Sequence, residues 1–234
     1  MAPFIDLSTV AVIDFPLRGE WRALNTPAER VPSHGTNYFG QRYAIDFVRV
    51  DDTGARFHRG SVARHFLAVV PASAFLSWNQ PVYSAFAGRV IAVGDGWPDR
   101  TRVNALWELV RATFLATGPR GTDYRPLSGN YVMVEGAPGV AMYCHLRSGT
   151  VRVRRGETIG TGVHLGTVGS SGNSTMPHLH FQLMDGPDPL TARGLPCAFR
   201  GYERFAEGAW DPIERGVPDT MERVRSSLSG PPNS

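Results

Sequence analysis

The segment Pro177-His178-Leu179-His180-Phe181, introduced by Gly169-Ser170-Ser171-Gly172-Asn173-Ser174, constrains this chain more than any other stretch. Proline is not tolerated inside a helix and phenylalanine suits a pleated surface, so the segment is expected to be a strand. Side chains alternate along a strand, which puts His178 and His180 on one face and turns Leu179 and Phe181 into a core. Two imidazoles on one rigid face can both reach a single metal, or one can bind it while the other handles protons. The plain alternative is a pair of histidines on a wet strand face.

The wider composition agrees with a β-rich chain. Among 234 residues, 26 glycines and 18 prolines mark many turns and favour short strands over long helices. An apolar fraction of 42% with 19% charged residues is that of a globular protein, one domain with elaborations or at most two small ones. Every basic residue is arginine, which the coding bias of a GC-rich genome explains more simply than ligand binding does. A net charge of +3 without a dense basic run argues against specific nucleic-acid binding and is compatible with an acidic cell-wall polymer. Cys144 and Cys197 cannot define a disulfide framework or a zinc knuckle, so each is expected to be a buried thiol. The start, Met1 to Leu7, lacks the charged opening and apolar run of a secretory signal, and no stretch approaches the roughly 18 apolar residues of a membrane span. Cytoplasmic work, prior removal of a signal and another export route all remain open.

Along the chain, residues 8–16 and 19–24 read as opening strands, and 25–41 as a loop that carries His34. Tyr43 to Val50 reads as a strand with Tyr43, Ile45 and Phe47 on one face and Ala44, Asp46 and Val48 on the other. An aspartate in so apolar a strand needs compensation, by a metal or by hydrogen bonds to a turn. His58 and His65, each beside an arginine, are expected on the exposed surface. Residues 81–93 read as two strands meeting at Gly88. Val103, Leu106, Trp107, Val110 and Phe114 form an apolar stripe at helical spacing, with Thr101 as N-cap and Gly118-Pro119 as stop, so a helix over 101–117 is expected within an insertion, 94–129. Strands resume at 130–135 and 140–146, where alternation puts His145 on the face of Tyr143 and Ala141, opposite Cys144. His164 is expected in a glycine-punctuated loop, Thr220 to Leu228 as a short helix, and Ser229 onward as disordered.

His34, Asp46, His145 and the pair His178/His180 stand out as polar positions on otherwise apolar or glycine-framed segments. Two imidazoles, one carboxylate and an open water position are the minimum for a catalytic zinc, and two further histidines would remain for proton transfer and oxyanion stabilisation. Spacing alone does not say which histidine does what.

Four motifs occur in order: Tyr-Ala-Ile-Asp-Phe at 43–47, Tyr-Cys-His-Leu at 143–146, Arg-Gly-Glu-Thr-Ile-Gly at 155–160 and Gly-Ser-Ser-Gly-Asn-Ser-Thr-Met-Pro-His-Leu-His-Phe at 169–181. Together they resemble the lysostaphin/LytM-type zinc metallopeptidases of family 23, which cut peptide stems or cross-links of bacterial peptidoglycan. The resemblance covers about residues 30–185. It implies an all-β fold, an antiparallel sandwich of the duplicated hybrid motif type with the site in a groove across one sheet. It implies zinc ligands at His34, Asp46 and His180 and catalytic histidines at His145 and His178. His34 and Asp46 are 12 positions apart, a longer loop than the family's usual one. The expected organisation is N-terminal strands at 1–29, the metallopeptidase unit at 30–217 with its insertion, and a helix and tail at 218–234. The expected function is zinc-dependent hydrolysis of amide bonds in peptidoglycan peptides by a monomer. Two other readings stand beside it: a non-catalytic regulator or wall-binding module on the same fold, and a phosphocarrier whose histidine pair accepts phosphate.

Overall fold

The computed structural model of the chain describes residues 5–59, 69–104 and 121–227. Its strands are short, as the glycines and prolines demand. In chain order they are β1 (Ala11–Asp14), β2 (Glu20–Leu24), β3 (Ile45–Arg49), β4 (Val70–Pro71), β5 (Pro81–Tyr83), β6 (Gly88–Gly94), β7 (Arg102–Val103), β8 (Asn130–Gly136) and β9 (Gly139–Leu146). They continue with β10 (Thr158–Ile159), β11 (His164–Thr167), β12 (Leu179–Met184), β13 (Gly194–Leu195), β14 (Cys197–Arg200), β15 (Tyr202–Ala206), β16 (Ala209–Ile213) and β17 (Arg223–Ser226).

An 11-stranded sheet runs β10-β6-β8-β9-β12-β3-β2-β17-β15-β16, with β13 added beside β12. Every pairing in it is antiparallel. Three two-stranded sheets accompany it, of which β5–β11 and β4–β7 are antiparallel and β1–β14 is parallel. The expected all-β, mainly antiparallel architecture is the one observed. Alternation along β3 and β12 sends Ile45, Phe47, Leu179 and Phe181 into the main core, where they meet Ile13 of β1, Val82 of β5, Leu165 of β11 and Phe199 of β14. The β1–β14 and β5–β11 sheets thus cover one face of the large one. Phe47 meets Phe15 edge-to-face at 5.2 Å and Phe199 at 5.9 Å, and Phe181 meets Phe199 at 5.5 Å, the geometry aromatic quadrupoles favour. The opposite face carries a smaller apolar cluster of Phe39, Tyr131, Met133, Met142, Cys144 and Met184, beside which the polar residues gather.

The structure departs from the sequence expectations in five places. Thr101–Val103 does not begin a helix. Arg102 and Val103 form β7 against β4, because Val103 packs with Val70, Ala72 and Phe75, and the remainder of the expected helix lies outside the described residues. The expected C-terminal helix is instead strand β17, seated between β2 and β15. Its alternation buries Val224 fully while Arg223 and Arg225 stay half-buried, so pairing satisfies both the sheet's polar edge and the core. His58 is buried, bridged to Phe75, rather than exposed, whereas His65 lies outside the described residues. His164 opens β11 instead of sitting in a loop, and its Nε2 meets Gly166 O at 2.9 Å. The fifth departure, at His145, shapes the site. Residues 229–234 also lie outside the described residues.

Candidate metal centre

β12 lies between β3 and β9, and its register sets His180 directly across from Asp46 on one side and Cys144 on the other. His178 stands just before β12 and is buried with His180 and Asp46. The segment from His34 to Asp46 turns back on itself through a 3-10 stretch, Tyr38–Tyr43, in which Phe39 (φ 62) and Gly40 (φ 69) reverse the chain. That reversal absorbs the long spacing and returns His34 Nε2 to 3.1 Å from Asp46 Oδ2. Ligand atoms of His34, Asp46 and His180 all lie within 4.8 Å of one another.

His145 arrives by a different device. Asn130 pairs with Leu146 and Val132 with Tyr143, so Tyr131 alone opposes both Cys144 and His145 in a β-bulge. His145 takes a left-handed backbone, φ 60, the one residue here that breaks alternation. Tyr143 still enters the main core and Cys144 the cluster opposite, but His145 joins Cys144 in lining the cleft instead of following Tyr143. This corrects the face expected for His145 and brings its ring to 4.7 Å from that of His178 and 5.9 Å from that of His180.

The glycine-rich loop before β12 holds the bulge. Ser171 O accepts from His145 Nδ1 at 2.9 Å, Gly169 N donates to His145 O at 2.9 Å, and Ser171 Oγ donates to Leu146 O at 2.7 Å. A side chain at Gly172 would strike Gly129 N at 2.1 Å, so two glycines with positive φ allow the backbones to touch. Asp99 braces the loop from outside, accepting from Ser170 N at 2.7 Å and Ser148 N at 2.8 Å. The cleft, about 200 Å³, is lined by Asn25, His34, Asp46, His145, His178 and His180, and by Leu127 and Ser128 of the expected insertion.

Protons in the cluster follow from its partners. A carbonyl can only accept, so His145 Nδ1 carries hydrogen and its Nε2 offers a lone pair; His178 Nδ1 likewise donates to Met176 O at 2.7 Å. Ser33 Oγ donates to Ala44 O at 2.8 Å and is left to accept from His34 Nδ1 at 3.1 Å, which turns a His34 Nε2 lone pair toward Asp46. Gln182 Nε2 donates to Phe39 O at 2.7 Å, so Gln182 Oε1 faces His180 Nε2 at 2.9 Å as an acceptor. His180 Nδ1 then presents its own lone pair to Asp46 Oδ1, 2.9 Å away. Two imidazole lone pairs converging on a carboxylate repel unless a cation lies among them. A divalent metal fits that demand, and two imidazoles with one carboxylate are a donor set suited to zinc.

Electrostatics point the same way. Burial by itself would raise the Asp46 carboxyl, but the neighbouring His34 and His178 hold it well below the usual carboxylate range. Asn25 Nδ2 also donates to Asp46 Oδ2 at 2.9 Å. Burial, then the neighbouring His178 and His180, push the His145 imidazole well below its ordinary value, so it is neutral. Burial lowers His178 too, yet Asp46, 3.5 Å from its Nε2, outweighs that and raises it. Burial pushes the Cys144 thiol up, which keeps it protonated, and both cysteines are free and buried as expected.

All five residues singled out from the sequence meet at this cleft. Asn25, Ser33, Ser171 and Gln182, which orient them, were not anticipated. Gln182 carried a readable signal: two positions after His180, it shares that residue's strand face. Asn25 and Ser171 reach their partners through tertiary contacts, whereas Ser33 stands next to His34 in the chain.

Residues 116–192 match Peptidase family M23. The peptidoglycan DD-endopeptidase ShyA of Vibrio cholerae is 33% identical over 72 residues, 30% of this chain and 16% of that protein. The cell division protein DipM of Caulobacter vibrioides is 41% identical over 63 residues, 26% of this chain and 10% of that protein. The chain therefore spans less than a fifth of the length of the curated relatives it matches. Among solved structures, the catalytic domain of lysostaphin from Staphylococcus simulans has a TM-score of 0.37 at 19% identity, covering 68% of this chain and 86% of that one. The catalytic domain of the prophage-encoded M23 protein EnpA from Enterococcus faecalis has a TM-score of 0.36 at 19% identity, covering 65% of this chain and 73% of that one. The stretch that matches the M23 family, about a third of the chain, carries His145, His178 and His180.

Proposed function

We propose that this chain is a zinc-dependent endopeptidase that hydrolyses amide bonds in peptidoglycan peptides or cross-links. The observation that carries the reading is the pair of imidazole lone pairs, from His34 and His180, converging on ionised Asp46 beside two further histidines in one cleft. His34, Asp46 and His180 would hold the metal. Bound there, zinc would supply Lewis-acid polarisation and make water acidic enough to ionise near neutral pH.

The remaining steps belong to side chains of this protein. Neutral His145 has its Nδ1 hydrogen tied to Ser171 O, so its Nε2 is the group that takes a proton from the attacking water. His178, raised by Asp46 and steadied through Nδ1 by Met176 O, carries the N–H that stabilises the developing oxyanion and can return a proton to the leaving amine. Asp46 offsets metal charge and fixes its position, with Asn25 holding the outer oxygen. The catalytic unit is proposed as residues 30–217, with 94–129 an insertion that borders the groove through Leu127 and Ser128. The peptidoglycan DD-endopeptidase among the relatives supports the substrate class.

The test pairs metal analysis of the purified protein with digestion of defined muropeptides read by mass spectrometry. One zinc per chain and zinc-dependent cleavage of an amide bond are expected. A zinc-loaded protein that leaves every cross-linked and linear muropeptide intact would overturn the enzymatic reading.

A further inference from the structure

We propose that Gln182 is the positioning residue that makes His180 a metal ligand, by keeping the proton on Nε2 and leaving Nδ1 free; this rests on the metal reading above. Gln182 is 1% exposed, and its side chain leaves the same face of β12 as that of His180. Every polar atom of the amide is committed. Nε2 donates to Phe39 O at 2.7 Å and lies 3.0 Å from Met184 Sδ, while Oε1 faces His180 Nε2 at 2.9 Å. Turning the amide over would set Oε1 against the Phe39 carbonyl, two acceptors in contact within a buried space.

The anchor is itself rigid. A Cβ on Gly40 would come within 2.6 Å of Met184 Sδ, so the backbone at 39–40 lies directly against β12. Phe39 is buried, and its ring packs edge-on to Tyr124 at 5.7 Å. The same turn leads into β3, so one amide links the strand bearing His180 to the segment that delivers Asp46.

Without Gln182, the favoured neutral tautomer of His180 places hydrogen on Nδ1, donated to Asp46 Oδ1 at 2.9 Å. A metal would then have to displace that proton. With Gln182 present, the same tautomer sets the Nε2 lone pair against Oε1, so the proton is held on the far side of the ring. Outer partners of ligating histidines typically alter metal affinity about 10- to 100-fold, and that is the loss expected here.

The experiment compares the full chain with its Gln182→Leu and Gln182→Glu variants. Zinc affinity is read by competition with a chelator, and the His180 Nε2–H proton by its shifted, exchangeable resonance in the cobalt-loaded protein. Leucine removes the acceptor, whereas glutamate keeps one and replaces the donor to Phe39 O with a second oxygen. Gln182→Leu should bind zinc about 10- to 100-fold more weakly and lose the resonance, while Gln182→Glu retains both. In the metal-free state the glutamate variant, with two acceptors meeting at Phe39, should melt at or below the leucine variant, so tighter zinc binding by the less stable protein separates tautomer control from packing. If Gln182→Leu does not fold, Gln182→Met takes its place, keeping length without an acceptor. Wild-type affinity in the leucine variant, or equal losses in leucine and glutamate, would refute the role of Gln182 while leaving the metal site intact. A wild-type protein that binds no zinc would overturn the metal reading, and this role with it.

Discussion

Replacing His145 with asparagine separates proton transfer from metal retention and from backbone geometry. His145 sits at φ 60 in the bulge of β9, a conformation that asparagine tolerates better than most residues. The substitution removes the bond from Nδ1 to Ser171 O, a loss of about 1 kcal/mol of stability, partly offset by the easier backbone. It removes the Nε2 lone pair entirely. General-base catalysis by a positioned imidazole typically contributes about 10²- to 10⁴-fold in rate, which is roughly 2.7–5.4 kcal/mol of barrier. The activity loss therefore exceeds the stability loss severalfold and cannot be mistaken for partial unfolding. His145 is outside the group whose ligand atoms converge, so zinc content should not change. The assay is paired: zinc per chain by metal analysis and initial hydrolysis rate on one cross-linked muropeptide, with thermal unfolding as a control. A folded His145→Asn protein that cleaves at the wild-type rate would refute the base role. One that loses its zinc would show that the histidine assignments need exchanging.

Asp46→Ala and His34→Ala should each weaken zinc binding by more than the roughly 100-fold ceiling for an outer-shell loss, read by chelator competition. Retention of zinc by His34→Ala would remove His34 from the ligand set. In the metal-free protein, His178 is held above its ordinary value of 6.5 and His145 below it. As pH falls through that region, NMR should show His178 taking its proton before His145, and the reverse order would contradict the role of Asp46 as the raising charge. By linkage, His178 adds stability below its unfolded value that is lost as pH rises through its raised folded one, whereas His145 opposes folding as pH falls. Phe47→Ala, which empties a fully buried ring site between Phe15 and Phe199, should cost about 3–5 kcal/mol in denaturant unfolding, and a loss below 1 kcal/mol would place the core elsewhere.

The sequence by itself determined what is local. Alternation around Pro177 to Phe181 was enough to set Leu179 and Phe181 in the core and His178 with His180 opposite them, because a strand's side-chain period is fixed by its backbone. Alternation in 43–50 placed Asp46 away from Ile45 and Phe47 for the same reason, and the order of four motifs carried the family resemblance. What lay outside local pattern was decided by pairing between distant strands. The bulge that turns His145 into the cleft exists only because β8 and β9 slip by one residue at Tyr131, held by Ser171 from another loop. The meeting of His180 with Asp46 depends on the register of β12 against β3, and that of His34 with Asp46 on a chain reversal at Phe39 and Gly40. Tertiary context also overrode helix preference at Arg223–Ser226, where an open sheet edge at β2 and a slot for Val224 offered more than an isolated short helix could. A short segment cannot form a stable helix alone, so its conformation is set by the partner it finds, and that partner is not written in its own residues.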